Sequence, residues 1–175
     1  TGNFGFMSAI SPARLLAGLW LGVLVIPFQA LGLFYLYFRL TGSQWRRHVY
    51  LPAAGLYMVA VGVTVHGVLG VIGLAMQTPA TAAATAHYQA ALNPLSGVLV
   101  ALHLLVTALF IVRLRKAQVP AYLLWLNPVT LYLVLAATYW IVPPLGRYLF
   151  PAAFNLSYGL FFLLAAVAFR QGSGR

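Results

Sequence analysis

Not one Asp or Glu occurs in the 175 residues, while Lys and Arg total 10 and 63% of the chain is hydrophobic. A soluble domain is about one quarter charged, with both signs spread over its hydrated surface. Here the charged fraction is 6%. Such a chain cannot cover itself with a hydrated shell, so lipid must be the solvent for most of its surface. The expected class is all-α: a polytopic transmembrane helical bundle forming one domain over residues 1–175.

Five apolar runs set the expected spans at residues 15–38, 51–76, 95–112, 121–142 and 149–169. At 1.5 Å per residue the first reaches roughly 36 Å, enough to cross a bilayer with tilt. Pro27 should kink it. Pro52 and Pro151 fall in opening turns, where proline is tolerated. Asn93 is the expected N-cap of the third span, with Pro94 its first helical residue. Pro143 and Pro144 stop the fourth. No run alternates as a barrel strand does. Residues 1–13 lack the basic start and long apolar core of a signal peptide and read as an extramembrane lead-in.

The net charge of +10 is not a nucleic-acid footprint, because the basic residues sit at the ends of apolar runs. There they set topology and meet anionic headgroups. Arg39, Arg46, Arg47, Arg113, Arg115, Lys116, Arg170 and Arg175 fall on one side; Arg14 and Arg147 fall on the other. The positive-inside rule then places the N-terminus outside and the C-terminus in the cytoplasm. Trp45, Trp125 and Trp140 suit interfacial belts. The one sizeable outer loop, residues 77–92, is rich in Ala and Thr and has room for a short surface helix.

With no carboxylate side chain, these residues cannot build paired-acid catalysis, a Ser-His-Asp triad or an acidic Mg²⁺ or Ca²⁺ site. With no Cys, disulfides and thiolate chemistry are excluded too. The only lysine, Lys116, lies in a loop, which removes a mid-membrane Schiff base. His, Asn, Ser, Thr, Tyr, Arg and backbone remain, and these suit binding better than hydrolysis.

Polar groups at membrane depth should face a bundle interior or a cavity. Ser96, His103 and Thr107 share one face of the third span and are expected to turn toward the His66 face of the second. His66 and His103 each lie roughly 15 Å below the outer boundary, although counts from the inner ends differ by roughly 9 Å. Facing histidines could ligate a b-type haem; equally, each could be a neutral ring hydrogen-bonded to a neighbouring hydroxyl or carbonyl. Asn127 precedes Pro128, and its amide either satisfies freed backbone groups or contacts a ligand. Asn155, one turn after Pro151, can bond across helices. Gly18 and Gly22 in the first span, and Gly62 and Gly70 beside His66 in the second, form small-residue faces for close helix contact.

Five stretches occur in order: Pro12-Ala-Arg-Leu-Leu-Ala-Gly18, Val25-Ile-Pro-Phe-Gln-Ala-Leu-Gly32, His66-Gly67, Leu126-Asn-Pro128 and Pro151-Ala-Ala-Phe-Asn-Leu-Ser157. Together they resemble a family of bacterial multipass membrane proteins catalogued as a domain of unknown function. The resemblance covers most of the chain. It implies a further apolar helix ahead of Thr1, hence six spans with both termini inside, in the bacterial inner membrane. It implies no activity.

The leading functional expectation is non-catalytic: a membrane subunit or binding protein holding a lipid or apolar small molecule, with His66, His103, Ser96, Thr107, Asn127 and Asn155 as candidate contacts. Its partners are membrane lipids and other membrane subunits or further copies of the chain, not nucleic acid. The alternatives are a haem b electron carrier using His66 and His103, and a small-solute transporter, for which no inverted repeat is evident.

Overall fold

The computed structural model describes residue 7 and residues 10–117, 119–149 and 152–172; Pro151 and Arg175 lie outside them. The chain is an all-α bundle, with no strand among the described residues. Its helices are α1 (Pro12–Val25), α2 (Gln29–Thr41), α3 (Tyr50–Ala75), α4 (Pro79–Lys116), α5 (Tyr122–Trp125), α6 (Pro128–Ile141), α7 (Pro143–Leu149) and α8 (Ala153–Gly172).

Four stretches are long and apolar enough to cross a membrane: Pro12–Gln44, Tyr50–Ala75, His87–Lys116 and Ala153–Arg170. Phe28, Leu31 and Leu163 are among many large apolar side chains left exposed along them. Such faces suit a hydrocarbon solvent and not water.

Prolines punctuate these helices in different ways. Pro27 lacks an N–H, and the chain tightens into a 3₁₀ turn over Ile26–Phe28 between α1 and α2. α2 ends where Thr41 Oγ1 donates back to the Tyr37 carbonyl at 2.7 Å and Gly42 turns left-handed at φ 51°. Pro94, expected to open a helix, instead lies inside α4. The Ala-rich stretch before it has high helix propensity, and one proline removes only one ladder bond, so the helix continues through Asn93. At 38 residues α4 is roughly 57 Å long, well beyond a hydrocarbon core of about 30 Å.

The fourth apolar run differs most from the expected span. It breaks at Leu126–Asn127 into the four-residue α5 and the 14-residue α6. Alone, α6 is roughly 21 Å long, short of a full crossing.

The chain divides into two compact units. The first comprises Thr1–Phe28 and Leu56–Leu102; the second comprises Gln29–Gly55 and His103–Arg175. In the first unit, α1 runs antiparallel to α3. Gly73 receives Leu15, Gly70 receives Leu19, His66 lies on Gly22, and Gly62 faces Ile26, one index falling as the other rises. Gln77 fastens the lead-in to this pair, its Nε2 donating to the Met7 and Ile10 carbonyls at 3.0 and 3.2 Å.

In the second unit, α2 and α8 run parallel. Gln29 Nε2 donates to Asn155 Oδ1 at 2.8 Å, Gly32 lies under the Phe162 ring, and Arg39 reaches the Phe169 carbonyl at 3.1 Å. α4 ends beside the start of α3, where Arg113 meets His48 and Tyr50. The chain must therefore return along the length of α2 before α8 can begin, and α5 and α6 carry that return, packing on α8. α7 then folds back so tightly that a Cβ at Gly146 would overlap the backbone of Tyr139.

Candidate functional site

The candidate residues are divided between the two units. His66 and Ser96 fall in the first unit; His103, Thr107, Asn127 and Asn155 fall in the second.

His66 sits on the face of α3 turned to α1. Its Nε2 lies 2.9 Å from the Gly18 carbonyl. A carbonyl can only accept, so Nε2 carries the proton and donates. The ring can come this close to α1 because Gly22 has no side chain; a Cβ there would overlap the ring. The two glycines thus have separate tasks. Gly18 supplies a carbonyl and has open space where a Cβ would point, while Gly22 supplies clearance. Gly70 is also tight, since a methyl added there would lie 2.8 Å from Leu19 Cδ1, whereas one at Gly62 would meet nothing nearer than 3.7 Å. Ser96 is half-buried on α4.

Beside this seam runs an apolar groove of about 420 Å³, lined by Gly67, Val68, Val71, Ile72 and Ala75 of α3 and by Tyr88 of α4. That volume falls within the roughly 300–1,000 Å³ typical of small-molecule sites. Among the described residues, Tyr88 is the only lining side chain bearing a polar atom. No sequence signal marks the groove, because its walls come from aliphatic residues interleaved with the packing glycines, and from an Ala-rich stretch that reads as a loop.

His103 is 8% exposed and its ring neighbours come from α8. Phe154 lies at 4.3 Å and Tyr158 at 5.3 Å between centroids, the latter edge-on at 67°. Tyr132 stacks on Phe154 at 4.2 Å and 14°. Of the stripe expected to face the second span, His103 thus meets rings of the fifth. Thr107, one turn on from His103, is 4% exposed. Its hydroxyl lies close enough to that of Tyr158 to interact, yet it meets no partner at hydrogen-bonding distance and angle.

Asn127 is the N-cap of α6. Its Oδ1 accepts from the Val129 and Thr130 amides at 3.0 and 3.1 Å. Its Nδ2 donates to the Leu124 carbonyl at 2.9 Å and to Thr130 Oγ1 at 3.1 Å. With the amide so occupied at both ends, this residue holds a helix start. Asn155 Oδ1 is occupied by Gln29, whose part in the bond no spacing in the sequence announces.

His66 Nε2 already serves Gly18, so a metal there would displace a hydrogen bond; His103 is wedged among rings. Among the described residues no three His, Cys, Asp or Glu side chains gather into a metal-holding group. No protein-family model, curated protein or solved structure matches the chain.

Proposed function

We propose that the chain is a non-catalytic integral membrane protein that holds a lipid chain or similar apolar molecule in the groove lined by Val68, Val71, Ala75 and Tyr88. One observation carries the reading: a groove of about 420 Å³ whose wall is almost wholly apolar. Apolar surface there excludes water and gains from contact with hydrocarbon. Tyr88 offers one hydroxyl for the polar end of such a ligand. The bias of basic residues supports an orientation with the start of α1 outside and the end of α8 in the cytoplasm of a bacterial inner membrane.

Native mass spectrometry of protein extracted in mild detergent tests the reading. It should find a retained apolar molecule, lost when Ala75→Trp fills the groove while the protein stays folded. Bare wild-type protein, or a ligand retained equally by the Trp variant, would overturn it.

A further inference from the structure

The end of the second unit carries an arginine whose surroundings are unusual for this side chain. Arg113, in the last turn of α4, points one guanidinium nitrogen at two neutral acceptors. Its Nη2 donates to His48 Nδ1 and to the Tyr50 hydroxyl, each at 2.7 Å. These bonds fix the orientation of the fork and leave its charge uncompensated, because no side chain of the sequence is acidic. They also fix the tautomer of His48, whose Nδ1 accepts and whose proton is therefore on Nε2. The ring stands edge-on to Tyr50 at 5.8 Å.

Other cations converge on the same place. Arg47 adjoins His48 in the Gly42–His48 segment, and Lys116 lies one turn beyond Arg113. Partial desolvation, followed by the charges of Arg113, Lys116 and Arg47, holds the His48 imidazole below its ordinary pKa. Arg47, Tyr50 and Lys116 are exposed and Arg113 half-exposed, so the donors are open to a ligand.

We propose that Arg113, Lys116 and Arg47, with His48 and Tyr50 as the frame that orients Arg113, bind the phosphodiester of an anionic glycerophospholipid. With both Nη2 hydrogens engaged, Arg113 has its Nη1 and Nε N–H groups to offer, and the several oxygens of a phosphate can accept charge-assisted bonds from these and from Lys116 and Arg47 at once. Two features favour a lipid over a soluble phosphate. Tyr50 starts a helix and Arg113 ends one, and both helices are long and apolar enough to cross a membrane, which puts the cluster at headgroup level. Tyr50, an exposed aromatic with its hydroxyl on the arginine, suits that interface.

The test uses the full chain in mixed micelles of phosphatidylcholine and phosphatidylglycerol, with bound lipid counted by native mass spectrometry. Wild type should retain phosphatidylglycerol in preference. Any lost charge weakens binding through the general surface potential, so the comparison is between R113Q and R115Q, which remove the same charge on the same helix. R113Q should lose about tenfold more affinity than R115Q, because it also loses charge-assisted hydrogen bonds. Y50F removes no charge and should still lose roughly threefold by freeing the guanidinium. If R113Q fails to fold, R113K and Y50F carry the test, each with a loss expected while the charge is kept. Equal retention of the two lipids, equal losses for R113Q and R115Q, or no loss in Y50F and R113K would overturn the proposal. In phosphatidylcholine alone, a shift of the His48 imidazole resonances by millimolar inorganic phosphate matching that caused by phosphatidylglycerol would assign the site to soluble phosphate and overturn the lipid.

Discussion

His66 and His103 are the same residue type, placed by sequence at similar depths, and they are accommodated in opposite ways. His66 lies on a seam of small residues, where its ring replaces the side chain that Gly22 lacks and its proton goes to a backbone carbonyl. His103 packs against two rings of α8, tilted on Phe154 and edge-on to Tyr158. The first arrangement is sensitive to a single carbon on the opposite helix. The second tolerates any flat ring that keeps the stack. A polar ring inside the bundle thus packs either by close backbone approach or against aromatic rings.

The largest effect should come from the first seam. Gly22→Ala forces the His66 ring off α1 and breaks its bond to Gly18, costing about 3 kcal/mol in a detergent unfolding titration. Gly18→Ala, one turn away with open space, should change stability by less than about 0.5 kcal/mol. Comparable losses from the two would collapse the distinction between the glycine that provides clearance and the one that provides a carbonyl.

In the second seam, His103→Ala opens a cavity and should cost about 2–3 kcal/mol, while His103→Phe keeps the stack and should cost about 1 kcal/mol. Equal costs would show that the ring is held chiefly by its nitrogens and that the contrast with His66 is misdrawn. A smaller effect, about 1–2 kcal/mol, is expected from Asn127→Ala, which uncaps α6. Its signature is faster amide exchange at Val129 and Thr130, the two N–H groups that Asn127 Oδ1 accepts from.

The smallest effect concerns pH. The His48 pKa is lowered, chiefly by desolvation and then by Arg113, Lys116 and Arg47. A histidine lowered on folding contributes stability that is fully present above its unfolded value of about 6.5 and is lost as pH falls through the lower folded value. NMR titration should find His48 with a pKa below 6.5, rising toward it in R113Q. A wild-type value at or above about 6.5 would mean that the Arg113 bond to Nδ1 is not the resting state.

How far these features were legible depends on whether their causes are local. A perturbation at Asn127–Pro128 was visible because the asparagine amide and a proline that lacks an N–H act on their own neighbours, but that it splits the expected 121–142 span in two was not. The continuation of α4 through Pro94 was not, since there a proline's local effect competes with the helix propensity of 15 preceding residues. Glycine spacing marked the α1 and α3 faces. Which glycine would be tight depended on the register that brings His66 onto Gly22, and that is a property of the pair of helices. The neighbours of His103 lie some 50 residues away on α8, and no periodicity links such positions. The groove was hidden for a related reason, as Tyr88 and Val71 become neighbours only once the turn after Ala75 folds α4 back.

A lipid held by this protein would lie in that groove. Reconstituted protein can be exposed to a phospholipid carrying a photoactivatable acyl chain, and the labelled peptides mapped. Label concentrated on Val68, Val71, Ala75 and Tyr88, several-fold above equally exposed positions such as Leu160 and Leu163, is the predicted result. Label spread evenly over all outward-facing residues would show that the groove holds nothing the rest of the surface does not.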